Sequence, residues 1–425
     1  MPPFLPCELT DIIIFHVDDA NSLCSCSLVC HDWVAASRHC LFSDAHMLSP
    51  SQYDALVNRV LRSESMYPWL SSMRTLELDC EDGRWFKKRN GGPRYRFFHE
   101  FAGHLPNLHL LSLVGLDWVR SPLHASTPSA LSQFPSLVEL RLENCTFQSF
   151  DMFRRILVAI PNLSTLMLYA VQWPSQPNGL LPGSRMLPQR RPCLVAFSIQ
   201  FYAKNDCAGT LFDWLVNCTP SRSTIRQLRF TLGGSPSASI KPEHAQFLES
   251  VSASVESLRI QARDDFPISC FSKLSPLTIK GSWEGILRTL NGLNGPLRVL
   301  QIESAPTRVL SAVDLGHPAS LENEDGGADM TGGLNELDTL LEDDRFKSME
   351  RLEFMISPVP SEFNFMLCLV DGHFRESIEE RLPKLCKEAF ELSTWIAHIE
   401  LGVKEEVDGT MAAPRGPLVA AKKAD

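Results

Sequence analysis

The residues of this chain best suited to chemistry come early. The stretch SLCSCSLVCHDW at 22–33 sets Cys24, Cys26, Cys30 and His31 within eight positions, with Arg38, His39 and Cys40 close behind. Thiols and imidazoles at that density are the usual ligands of zinc. The spacing argues against it: residues two apart on a helix are turned by about 200°, so Cys24 and Cys26 face different ways. Zinc modules use CxxC or HxxxH spacings, and the CxC here followed by a distant Cys30 and His31 matches neither. No metal and no cofactor is expected. The 13 cysteines are odd in number and follow no framework spacing, so in a reducing compartment they read as small buried hydrophobes without disulfides.

Two charge anomalies could also carry function. RWFKKRNGGPRYRFF at 84–98 gathers Arg84, Lys87, Lys88, Arg89, Arg94 and Arg96 around Gly91 and Gly92, which suggests a projecting loop. It can be read as a solvated loop, as a dock for an acidic partner, or as bases and aromatic rings stacked on a single-stranded nucleic acid. The first reading is preferred, with Arg84, Lys87, Lys88 and Arg89 as the candidates for steering a substrate. The second anomaly, at 318–344, holds nine acids and no Lys or Arg, and reads as a solvated, flexible acidic insertion. A calcium loop there would need acids where Leu321 and Gly332 stand.

No GxxxxGK[ST], GxGxxG, GxSxG, HExxH or CxxC pattern occurs, and no nucleophile stands in a recognisable relation to a base. The chain is therefore expected not to be an enzyme. Its 425 residues are 44% hydrophobic and 21% charged, the balance of an ordinary folded protein. A net charge of −10 and a pI near 5.7 do not suit a chain whose main task is holding a nucleic-acid backbone. No window is long and apolar enough for a membrane span, and Glu8 and Asp11 interrupt what would be a signal peptide. A cytoplasmic or nuclear location, with no membrane partner, is expected.

The elements that position these residues are legible in part. Pro6 suits a first helical position, Glu8 and Asp11 favour the early turns, and Leu9, Ile12, Ile13 and His16 recur at helical spacing, which predicts a helix over 6–17. Asp19 is the expected N-cap of a second helix carrying Leu23 and Cys26.

This opening stretch resembles the F-box, the three-helix module that docks substrate receptors onto cullin-RING ubiquitin ligases. Leu5, Pro6, Glu8 and Leu9 match its LPxEL opening, Ile12 and Ile13 its first-helix apolar positions, and Leu28, Val29, Cys30 and Trp33 its LVCxxW signature. The resemblance covers 3–47, about a tenth of the chain. It implies that Leu5, Pro6, Leu9, Ile13, Val29 and Trp33 contact a Skp-type adaptor and through it a cullin, and that Cys30 is a core residue.

Beyond it one pattern recurs: apolar, two residues, apolar, one residue, apolar. It runs from Met73, Leu76 and Leu78 through copies beginning at Leu108, Leu137, Leu163, Leu194, Ile225, Val255, Leu274, Leu297 and Met349. The steps of 35, 29, 26, 31, 31, 30, 19, 23 and 52 residues mostly fall near the leucine-rich-repeat period. A Pro often stands before the copy, as in LPNL, FPSL and IPNL, marking a helix-to-strand corner. Helices are expected at 152–160 and 244–251. The repeats are degenerate: of the expected Asn or Cys after the strand, only Cys145 is present.

The expectation is an α/β protein: a three-helix F-box at 1–48, then an irregular leucine-rich-repeat solenoid of short parallel strands and helices at 49–310. An acidic insertion follows at 311–345, then the last repeats and a cap at 346–403, with a helix at 378–390 and a strand at 395–401. A disordered tail at 404–425 ends the chain. Residues 174–192 read as an exposed excursion. The implied function is the substrate-receptor subunit of a Skp/cullin/F-box E3 ubiquitin ligase. The alternative is a repeat scaffold for protein–protein interaction with no ligase connection. On the repeats, Arg74, Glu77, His109, Ser112, Glu139, Arg141, Thr165, Met167, Arg226 and Arg229 are expected to line one surface.

Overall fold

The computed structural model describes residues 6–80, 96–120, 122–174, 191–202, 208–233, 240–263, 265–304, 334–356 and 391–396. The chain forms two compact units: 1–261 with 265–273, and 262–264 with 274–425.

In the first unit three helices come first: α1 (Cys7–Phe15), α2 (Ala20–Cys26) and α3 (His31–Ser43). Pro6 stands at the N-cap of α1, one position ahead of the first helical position expected for it, and Asp19 caps α2 by accepting from the Ser22 N–H at 2.7 Å. That bond also holds the Asp19 carboxyl below the usual carboxylate range. The helices share a small core of Ile14, Leu23 and Ala36, against which Val17, Trp33, Cys40 and Leu41 pack. The first helix ends at Phe15 rather than at 17, because the His16 N–H already divides between the Ile12 and Ile13 carbonyls.

Strand β1 (Asp44–Met47) continues directly from α3 and falls within the residues expected to belong wholly to the helical module. It starts a parallel array of β2 (Thr75–Asp79), β3 (Leu110–Val114), β4 (Glu139–Glu143), β5 (Thr165–Tyr169), β6 (Ala196–Tyr202), β7 (Gln227–Gly233) and β8 (Ser257–Gln261). Every strand pairs with its neighbour in sequence, so each rung is laid on the last. On β2 to β8 period-two alternation sends Leu76 and Leu78, Leu140 and Leu142, and their equivalents inward, none more than 5% exposed.

A repeated bond sets the spacing of the rungs. The carbonyl just ahead of each strand accepts two N–H groups from the next rung: Arg74 from His109 and Leu110, His109 from Val138 and Glu139, Val138 from Ser164 and Thr165. The same pattern runs through Ser164, Val195 and Arg226. At the other end of β3, β4 and β5 the chain turns with positive φ at Gly115 (67°), Asn144 (50°) and Ala170 (51°). Each of those N–H groups donates to the next strand's end, Gly115 to Glu143 O at 2.8 Å and Asn144 to Tyr169 O at 2.9 Å. Cys145 follows, fully buried, its Sγ 3.3 Å from the carbonyls of Leu113 and Glu143, and burial pushes its thiol up to about 12.

Between strands, helices close the core. After β1 come α4 (Pro50–Ala55), a π-helical continuation at Leu56–Leu61 and a 3-10 turn at Tyr67–Ser72. Then follow α5 (Arg96–Glu100), α6 (Thr127–Leu131), α7 (Phe150–Ala159), α8 (Ala208–Cys218), α9 (Ser221–Thr224) and α10 (Pro242–Val251). The two helices read from periodicity are α7 and α10. Their rings interlock from rung to rung: Phe153 stacks on Trp173 at 5.0 Å, and Phe212 on Phe247 at 4.2 Å.

The second unit holds β9 (Leu277–Lys280), α11 (Trp283–Asn291), β10 (Val299–Ser304), α12 (Leu334–Leu340), β11 (Arg351–Ile356) and β12 (Glu391–Ile396), its strands again parallel and in chain order. Gly281 is required at its φ of 157°, where a Cβ would stand 2.8 Å from that of Ala262. Two expectations change here. The end of the acidic stretch is helical rather than flexible, since Leu337, Leu341 and Phe346 are buried and anchor it. The last strand spans Glu391–Ile396 and so ends where a strand was expected to begin. The helix expected at 378–390, residues 175–190 of the excursion expected at 174–192, and the tail from 404 lie outside the described residues.

Candidate functional site

The helical module presents an apolar face that its own core does not use. Of the run Ile12–Phe15, only Ile14 is buried; Ile12 and Ile13 are 52% and 51% exposed. Leu9 and Phe15 share that exposure, and at the turn after α2 Leu28 is 86% and Val29 62% exposed. Phe15 also meets the His39 ring edge-on at 5.6 Å. Covering half of such a side chain is worth about 1 kcal/mol, so several together can hold a partner.

Of the expected adaptor contacts, Leu9, Ile13 and Val29 lie on this exposed surface, Pro6 is exposed at the start of α1, and Trp33 is partly buried against the module's core. Leu5 lies outside the described residues. Ile12, Phe15 and Leu28 join the face without having been singled out as contacts. The signal was present: a nine-residue helix with four consecutive apolar residues has more than one face can bury.

The cysteines depart from expectation. Cys30 is exposed at the N-cap of α3 instead of packed, and Cys7, Cys24 and Cys193 are exposed as well. Of the described cysteines only Cys80 and Cys145 are buried. All ten described cysteines are free thiols. Among the described residues, no group of three or more His, Cys, Asp or Glu could hold a metal ion.

On the rungs of the first unit the outward residues form rows. Register aligns His46, Glu77, Ser112, Arg141, Met167, Ser198, Arg229 and Arg259 across β1–β8. Glu139 and Thr165 belong to a parallel row two residues back, while Arg74, His109 and Arg226 stand just ahead of their strands. The expected surface is thus three rows, and Ser112 is buried within it. Carboxylates of Glu77, Glu139 and Glu143 gather on β2–β4, and the guanidinium groups of Arg229 and Arg259 on β7 and β8. Arg141 answers Glu139 at 2.7 Å, and Arg226 pairs with Glu256 at 3.3 Å.

The second unit's outward side is a closed polar relay. Thr278 donates to Gln301 at 2.6 Å, Gln301 donates to Glu353 at 2.7 Å, and Arg351 closes on the same carboxylate at 3.1 Å. Glu303, equally buried, takes Lys280 at 3.2 Å. Buried carboxylates satisfied in this way position strands rather than react.

Arg84, Lys87, Lys88 and Arg89 lie outside the described residues. The end of that basic stretch is not a projecting loop: Arg96–Glu100 is helical, and Phe97, Phe98 and Phe101 are buried, with Phe97 packed on Phe134 at 6.0 Å. No helix among the described residues is long and apolar enough to cross a membrane. Compared with known proteins, the chain matches no family model, and no curated protein is similar to it.

Proposed function

We propose that the chain is the substrate-receptor subunit of a cullin-RING (Skp/cullin/F-box) E3 ubiquitin ligase. Its helices α1–α3 act as an F-box on a Skp-type adaptor, and its rungs act as degenerate leucine-rich repeats that hold a protein substrate. The observation that carries this reading is the pairing of a thin module core with an exposed run of Leu9, Ile12, Ile13, Leu28 and Val29 in the segment that resembles the F-box. Apolar side chains left bare on so small a module gain most when a partner covers them. The chain itself supplies proximity and no catalytic group: it holds a substrate near the ubiquitin-conjugating partner. Its place of action is the cytosol or nucleus. The outward rows of β2–β8, with separated acidic and basic ends, offer a substrate both charge signs and a direction.

The second reading, a protein-interaction scaffold without a ligase, draws on Cys30, which is exposed where the F-box resemblance implies a core residue. Adaptor capture separates the two. Trp33 packs on the core, so its removal would confuse docking with folding, whereas Ile12, Ile13 and Val29 are free to change. The triple variant Ile12→Ser, Ile13→Ser, Val29→Ser is expected to keep the wild-type circular dichroism and melting temperature while losing co-purification with adaptor and cullin. Adaptor capture equal to wild type would sink the ligase reading and leave the scaffold.

A further inference from the structure

We propose that the chain carries a binding site for a phosphate-type oxyanion where α3 and the 3-10 turn at Tyr67–Ser72 meet the starts of β2 and β3. An open cavity of about 580 Å³ lies there, its walls including His39, Ser72, Arg74, Thr75, Asn107 and His109. Among the described residues no carboxylate lines it.

Its polar groups divide into those in use and those held ready. Ser72 Oγ is hydrogen-bonded to His39 Nδ1 at 3.0 Å, and Asn107 Nδ2 donates to the Ser71 carbonyl at 2.8 Å. The His109 Nδ1–H donates to the Asn107 carbonyl at 2.5 Å. What remains without a partner among the described residues is the Arg74 guanidinium, the Thr75 hydroxyl and the Nε2 atoms of both rings. A guanidinium fork flanked by a hydroxyl and two imidazoles matches a tetrahedral oxyanion, which accepts several donors at once.

Because Nδ1 of His109 carries the ring proton, Nε2 accepts in the neutral ring and donates only in the imidazolium form. The charged groups around the site are Arg74 and His39 in the cavity, Asp44 on β1 opposite Thr75, Glu139 on β4, already held by Arg141, and Arg38 of α3, which lies over Trp69. The site does not depend on the ligase reading, and either can fail alone.

The test titrates the full chain, labelled at histidine, with sulfate, a dianion at every pH used. Saturable shifts of two histidine signals in about the millimolar range are expected. Arg74→Gln should weaken binding about tenfold or more, since it removes the charge and the fork. It leaves the fold intact, because the backbone carbonyl of Arg74, not its side chain, holds the next rung. His109→Gln should remove one of the two shifting histidine signals and leave the other saturable. Inorganic phosphate and O-phosphothreonine, run in parallel, tell a free ion from a phosphoryl group carried on a side chain, and the tighter of the two names the source. A non-saturating response to sulfate, or equal binding by Arg74→Gln, overturns the site.

Discussion

The helical module and the rungs of the first unit use the same residue types for opposite ends. On β4, Leu140 and Leu142 are at most 1% exposed, between the paired strands β3 and β5. On α1, Ile12 and Ile13 are half exposed beside a core of three residues. A rung gains its core from the rung before and the rung after, and so buries whatever alternates inward. The module has no such neighbour on its outer face. Apolar periodicity therefore marks a surface that seeks burial, and only the surroundings say whether the chain itself provides it.

The sharpest way to break that comparison is to truncate one side chain on each side of it. Leu140→Ala leaves a cavity between rungs and should cost about 3–4 kcal/mol in urea unfolding, whereas Ile13→Ala should cost less than about 0.5 kcal/mol. Similar losses at the two positions would show that the module's face is core after all.

A second measurement tests how dry the rungs are. His244 on α10 sits among Phe201, Phe212 and Phe230 with ring centroids 5.4 to 6.1 Å away, and its Nδ1 has no partner among the described residues. Burial pulls its pKa from 6.5 down to about 4, against a smaller opposing pull from Glu243. Between those values the unfolded chain takes up a proton that the folded chain refuses. The stability contributed by neutral His244 is therefore complete at pH 7 and is lost as the pH falls from 6.5 to 4, by about 3 kcal/mol in all. His244→Phe should flatten this limb in thermal melts at stepped pH. An unchanged slope would place the acid sensitivity elsewhere.

The smallest effects belong to the turns that end β3 and β5. Gly115 and Ala170 occupy equivalent left-handed positions, comfortable for the first and strained for the second. Gly115→Ala should lower stability by about 1 kcal/mol and Ala170→Gly should raise it by about 0.5–1 kcal/mol. Opposite signs from one conformation would establish that the rungs share a turn although their sequences do not. Equal signs would dissolve the equivalence.

What was legible in the sequence follows the range of the forces involved. The inward pairs Leu76 and Leu78, Leu111 and Leu113, and Ile279 at the end of β9 were readable because alternation within a strand is local. Asp19 was readable as a cap because its partner, Ser22, is three residues away. The helices α7 and α10 carry their signal in 3.6-residue spacing. Strand β1 was not legible: Asp-Ala-His-Met has no pattern of its own and becomes a strand only because β2 offers it a partner. Nor was α5, where a basic stretch hid Phe97 and Phe98, both buried.

The sequence by itself determined the period of the repeats, the residues that point inward and the caps that start helices, since each depends on neighbours a few residues away. Only the tertiary structure decided which face of α1 stays bare, that Cys30 is exposed while Cys145 is sealed, and that His39, Arg74 and His109 gather at one cavity. Those outcomes depend on what packs against a residue from 30 or more positions away, and local pattern carries no record of it.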